Sequence, residues 1–302
     1  MAWELSTPGD HWCELEHRDQ IRSFLLHLPP AIEEGRDLPL VIGLHGGGGN
    51  ARTFSYKTRF SDKADKEGFI VVYPNGSGPL PMDRLLTWNA GHGCGYAMRE
   101  DIDDLGFMEE LIKWIGWRLP LDERRIYVTG HSNGAFLTYW IASLLGDKIA
   151  AAAPVAGSIG GRREKDGPLF VIPKAKAAVP ILIVHGVEDE HVPFEGGPGK
   201  GFEADREDIS VADSAAFWVE QNGCSQKPLV EESHGGKVTE SVWRRKDGSF
   251  PVILLTIREF GHQWPGQRAL RLRHWFSSNA PIDGCDRIWD FFSTQFRGES
   301  ED

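Results

Sequence analysis

A doubly wound α/β fold is predicted for this chain by two features. Short apolar runs without a period of two recur along it, and between them lie stretches whose apolar residues step by three and four. Continuous apolar runs suit strands buried on both faces, as in a mostly parallel sheet. The wider spacing gives a helix one apolar stripe to lay against such a sheet. Alternation of the two kinds along the chain implies helices on both faces.

Residues 11–17 and 20–28 read as strands joined by a turn at Arg18-Asp19, so an antiparallel pair opens the chain. The buried runs are 40–44, 69–73, 125–129, 150–155, 181–184 and 252–257. Over 101–118, Ile102, Leu105, Phe107, Met108, Leu111, Ile112 and Ile115 form an apolar stripe, and Pro120 bars the helix from continuing. Helices are also predicted over 133–145, 211–221 and 288–296. The Gly/Pro-rich stretches 74–95 and 193–203 read as surface loops rather than linkers, because apolar runs resume beyond each. No repeat or low-complexity tract divides the chain, so 1–302 is read as one domain.

Composition narrows the function. Glycine supplies 35 of 302 residues, well above the usual ~7%, which marks tight turns and close backbone approaches. A net charge of −11 repels phosphate backbones and argues against a nucleic-acid partner. No run reaches the ~18 apolar residues of a membrane span. The N-terminus lacks a basic segment followed by an apolar one. The chain is therefore expected to be cytoplasmic or a mature form whose leader has been removed, with the extracellular reading preferred. Cys13, Cys94, Cys224 and Cys285 fit no zinc spacing, and no metal is expected. Their three complete pairings stay open. Cys224 and Cys285, if joined, would close a loop contributing roughly 4 kcal/mol; buried free thiols are the alternative.

The chemistry concentrates in four segments. Gly130-His131-Ser132-Asn133-Gly134 fits G-x-S-x-G, with a β-branched run ending at Gly130 and a helical run starting after Ser132. A side chain at 130 or 134 would collide across that bend. The first amides of the following helix have no intrahelical acceptor, so the Asn133 N–H can stabilise an oxyanion near Ser132. Leu44-His45-Gly46-Gly47-Gly48-Gly49-Asn50 follows an early buried strand and exposes backbone N–H groups suited to a second oxyanion donor. A phosphate loop is the rival reading, but the Lys-Ser/Thr ending is absent. His45 itself reads as a hydrogen-bonding scaffold residue.

A serine nucleophile needs an imidazole oriented by a carboxylate, in chain order Ser, acid, His. After the 181–184 run, Glu188, Asp189 and Glu190 compete, and spacing does not choose among them. A short side chain on a tight turn favours Asp189. After the 252–257 run comes Glu259-Phe260-Gly261-His262-Gln263-Trp264-Pro265-Gly266. Among eleven histidines, His262 alone occupies the place expected of the base, beyond the C-terminal end of a buried strand. His234 reads as part of a polar turn and His274 as a solvated or packing position. Trp88, Trp264 and His131 are the candidate substrate-contacting residues.

Together these segments, with Thr87-Trp88-Asn89-Ala90-Gly91 and Asn222-Gly223-Cys224, resemble the esterase family of polyhydroxybutyrate depolymerases and feruloyl or acetylxylan esterases. The resemblance spans about 20–295 and implies the α/β-hydrolase fold and a serine carboxylic-ester hydrolase without cofactor. It implies Ser132 as nucleophile, Asp189 as acid, His262 as base, and the N–H groups of Asn133 and Gly47 as oxyanion donors, with Gly48 the rival to Gly47. Hydroxyalkanoate or feruloyl/aryl esters, small or polymeric, are the implied substrates. Acetylxylan esterase and a non-catalytic binding member of the fold are the alternatives. Two departures stand out: Glu259-Phe260 replaces a glycine-rich pair before the histidine, and only Cys94 remains where paired cysteines are common. No separate polymer-binding module, usual in secreted polymer-degrading relatives, is expected within 1–302.

Overall fold

The computed structural model describes residues 7–93, 95–200, 206–268 and 280–298. Strands β1 (Gly9–His17) and β2 (Gln20–Leu28) pair antiparallel, from Gly9 opposite Leu28 to His17 opposite Gln20. Arg18 and Asp19 between them have φ of 47° and 61°. Two positive φ values are what a two-residue hairpin turn needs to match the twist of its strands. There follow β3 (Leu38–Leu44), α1 (Ala51–Thr58), α2 (Phe60–Glu67), β4 (Ile70–Pro74), α3 (Tyr96–Arg99), α4 (Asp104–Gly116), β5 (Leu121–His131), α5 (Asn133–Leu144) and β6 (Ala151–Val155). The second half contains β7 (Gly160–Arg162), β8 (Leu169–Val171), β9 (Ile181–Gly186), β10 (Gly197–Pro198) and β11 (Glu207–Asp208). It ends with α6 (Val211–Gln221), β12 (Leu229–Ser233), β13 (Val238–Trp243), β14 (Val252–Ile257) and α7 (Gly284–Phe292).

Ten described strands form one sheet in the order β1-β2-β4-β3-β5-β6-β9-β14-β13-β12. The six from β4 to β14 run parallel, with antiparallel strands at both edges. Side chains alternate between two cores, as a pleated strand requires. Leu40, Ile42, Val72, Val128 and Ile183 join α4, α5 and α6 on one face. Val41, Val71, Tyr127, Leu182 and Leu255 join α1, α2 and α7 on the other. Each parallel strand is thus apolar on both sides, which is why it reads as an unbroken run. The short β7, β8, β10 and β11 form a separate small sheet.

Several expectations need correction. The 74–95 stretch is a surface loop only in part: 79–85 are exposed, but Asn75, Leu86, Thr87, Trp88, Ala90 and His92 are buried, and Asp104 accepts the Asn89 N–H at 2.7 Å. By contrast, the described part of 193–203 lies at the surface, with β10 inside it. The last helix begins four residues before 288 and ends at Phe292, because Asp283 caps it by accepting the N–H groups of Cys285 and Asp286. The antiparallel edge β12–β13 was not foreseen, since every residue of β12 is exposed and carries no burial pattern. Cys224 and Cys285 are separate free thiols, as is Cys13, so the 224–285 loop is not closed. Cys94 and His274 lie outside the described residues. No described helix is long and apolar enough to cross a membrane.

Candidate active site

Strand β5 runs buried through Ile126, Tyr127 and Val128 and delivers Ser132 to a bend with φ 56° and ψ −120°. A non-glycine residue in the left-handed region is unfavourable by about 1–3 kcal/mol and persists only where its surroundings enforce it. Here the Ser132 N–H donates to the Val155 carbonyl at 3.0 Å, while its own carbonyl accepts from Ala135 and Phe136 as α5 starts. The bend leaves no room for neighbouring side chains. A β-carbon on Gly130 would lie 2.4 Å from the Gly134 carbonyl oxygen, and one on Gly134 2.4 Å from that of Leu44.

Two loops at the C-terminal ends of β9 and β14 meet Ser132. They are stitched together by Val187 N–H to Ile257 O and Glu188 N–H to Phe260 O, both 2.9 Å. His262 Nε2 lies 2.8 Å from Ser132 Oγ, and His262 Nδ1 lies 2.7 Å from Asp189 Oδ2. The other Asp189 oxygen accepts the N–H groups of His191 and Val192, each at 2.9 Å. Glu188 and Glu190 are exposed, and Glu190 pairs with Lys200. Burial alone would raise the Asp189 pKa, but hydrogen bonds from His185 and His262 outweigh it and hold the carboxyl well below the usual range. A permanent carboxylate at Nδ1 fixes the imidazole tautomer that leaves Nε2 free to take the serine proton.

The glycine loop separates its donors. Gly48 N–H is committed to the Leu86 carbonyl at 2.8 Å and Gly49 N–H to that of Gly46 at 3.0 Å. Gly47 N–H has no protein acceptor among the described residues. Asn133, the first residue of α5, likewise has an N–H beyond intrahelical reach. Gly47 and Asn133 are therefore the candidate donor pair, and Gly48 is not.

Trp88 does not line the cleft, contrary to expectation. It is fully buried beneath the glycine loop, donating its indole N–H to the His45 carbonyl at 2.9 Å. Its backbone N–H and C=O are both held by the Asn133 side chain, at 2.7 and 3.1 Å. Trp88 thus ties the glycine loop to the serine bend, a structural role that local sequence does not announce. Trp264 and His131 do line the cleft, a cavity of about 310 Å³ that also exposes Ser132, His262, Phe54 and the glycine loop. The His131 ring lies 5.0 Å from that of His262. Burial, then the His262 charge, pushes the His131 pKa well down, so it stays neutral.

His45 is the scaffold residue foreseen. Its Nε2 accepts the Gly76 N–H at 3.0 Å and its Nδ1–H donates to the Gly46 carbonyl at 2.9 Å. A second proton would face the Gly76 donor, and burial already lowers its pKa to about 4. The unfolded chain takes up that proton near 6.5, so the folded state loses stability as pH falls from there toward 4. The expected loss is about 3 kcal/mol once both states are titrated. Denaturant unfolding at stepped pH should show this limb, and His45→Gln should flatten it; an unchanged limb in the variant would refute the assignment.

Residues 22–164 match the family model described as Esterase PHB depolymerase. Feruloyl esterase B of Piromyces equi is 28% identical over 243 residues, which is 80% of this chain but 42% of that protein. The putative esterase NocK of Nocardia uniformis subsp. tsuyamanensis is 27% identical over 81% of this chain and 71% of its own. The chain is thus similar to esterases of the polyhydroxybutyrate depolymerase and feruloyl esterase kind. Acetyl xylan esterase from Aspergillus awamori superposes with a TM-score of 0.57 over 90% of this chain and 94% of its own. At 15% identity that likeness carries the fold alone, and the fold is that of the α/β-hydrolases. The antiparallel opening pair and the parallel sheet are both as predicted.

Proposed function

We propose that this chain is a serine carboxylic-ester hydrolase that works through an acyl-enzyme. The observation that carries this reading is the continuous hydrogen-bonded series from Ser132 Oγ through His262 to Asp189. In the first half-reaction Ser132 Oγ attacks the ester carbonyl while His262 Nε2 takes its proton. The N–H groups of Gly47 and Asn133 hold the resulting oxyanion, and the imidazolium rests on the Asp189 carboxylate. His262 then gives the proton to the departing alcohol. Water, deprotonated by the same imidazole, releases the acid and restores the serine.

Hydroxyalkanoate or feruloyl/aryl esters are the proposed substrates. The cleft is at the small end of ligand sites, ~300–1,000 Å³, and Phe54 and Trp264 form an apolar wall. Such a space suits an aryl group or a short hydroxyalkanoate unit better than a long acyl chain. A panel of feruloyl, 3-hydroxybutyrate-oligomer, acetylated-xylan and C12 acyl esters, with a matched amide, tests this. Turnover of the short esters is expected, with fluorophosphonate labelling of Ser132. Amide turnover matching the ester rate would overturn the reaction class, and C12 rates equal to feruloyl rates would overturn the substrate reading.

A further inference from the structure

One wall of the cleft carries a charge that ester hydrolysis does not use. Lys57, in the last turn of α1, lines the cleft with Phe54, Trp264 and Gln267. Among the described residues that line the cleft it is the only Lys, Arg, Asp or Glu. Cations nearby are paired: Lys63 with Glu67 and Asp286, Arg59 with Asp62 and Asp283, and Arg268 with Asp62. Lys57, half-buried, has no carboxylate in range among the described residues. Its burial lowers its pKa, and its charge reaches His131 beside the serine. Although the chain has 44 acidic residues, none of the described ones pairs with this ammonium in the cleft that exposes the candidate nucleophile. Partial desolvation without a counter-charge is unfavourable, and an incoming carboxylate would relieve it.

We propose that Lys57 is a specificity-determining residue that binds a free carboxylate carried by the ester substrate. This rests on the hydrolase reading and adds a substrate class to it: esters that keep one ionised acid group, such as short hydroxyalkanoate oligomers, above neutral sugar esters. The bound carboxylate takes no part in bond making. It belongs either to the acyl half, as in a dicarboxylic acid hemiester, or to the alcohol half, as in an acylated hydroxy acid.

Two matched pairs separate these sources: 4-nitrophenyl hemiglutarate against 4-nitrophenyl pentanoate, and 3-acetoxybutyrate against its N-methylamide. The readout is the ratio of kcat/KM, anionic over neutral, with Ser132 dependence checked separately on the neutral esters. In one pair the ratio should exceed about ten, the scale of a charge-assisted contact. It should shrink as salt rises, collapse toward one in Lys57→Met, and be partly kept in Lys57→Arg. A ratio near one in both pairs for the unmodified protein would overturn the proposal. So would a ratio that survives in Lys57→Met. Loss of Ser132-dependent turnover altogether would instead refute the hydrolase reading.

Discussion

Ser132→Ala is expected to lower kcat/KM on any ester substrate by at least about 10⁴-fold, close to 5 kcal/mol of barrier. The hydroxyl has one function that no other described lining residue duplicates: among those side chains only Thr53 carries another hydroxyl, and it bonds the backbone of Asn50, which caps the start of α1. His262→Ala should cost a similar factor, and the double variant little more than either single one, because the pair acts as a unit. Thermal stability should change far less, since among the described residues Ser132 Oγ hydrogen-bonds only to His262. Initial rates with an activated ester, together with active-site titration, measure both quantities. Residual activity within about tenfold of the unmodified protein would dismiss Ser132 as the nucleophile.

The parallel strands and the serine bend were legible because each has a local cause. A strand between two apolar layers must be apolar at every position, and a bend as tight as that at Ser132 excludes a β-carbon at Gly130 and Gly134. The choice of Asp189 over Glu188 and Glu190 was less legible. Three adjacent carboxylates look alike until the chain folds so that two backbone N–H groups, at 191 and 192, converge on one of them. The same holds for Gly47 and Gly48, which differ only in that the distant Leu86 carbonyl engages one N–H. Trp88 was misjudged because its partners, His45 and Asn133, are remote in sequence. Helix α1, which brings Lys57 to the cleft, is short and mostly polar. Its one local signal is the reciprocal cap between Asn50 and Thr53, at 2.9 and 3.1 Å.

Gly134→Ala is expected to damage both stability and activity, against what helix propensity says. In an exposed helix interior this exchange would stabilise by about 1 kcal/mol. At the second residue of α5, however, the new methyl would lie 2.4 Å from the Leu44 carbonyl oxygen and 2.5 Å from that of His45. Both obstacles are backbone at the end of β3, so no side chain can rotate away. Relief requires α5 or the glycine loop to move, and overpacking of this kind costs typically 1–3 kcal/mol. Either movement separates the Gly47 and Asn133 N–H groups or shifts Ser132 Oγ from His262. A displacement near 1 Å is enough to lower kcat by about 100-fold. Gly47→Ala provides the contrast, since a β-carbon there meets only Asn133 Cβ at 3.8 Å, an ordinary contact. Its melting temperature should stay near that of the unmodified protein, while that of Gly134→Ala falls by several degrees. If Gly134→Ala melts and turns over ester like the unmodified protein, the tight junction between β3 and α5 is not what holds the serine in place.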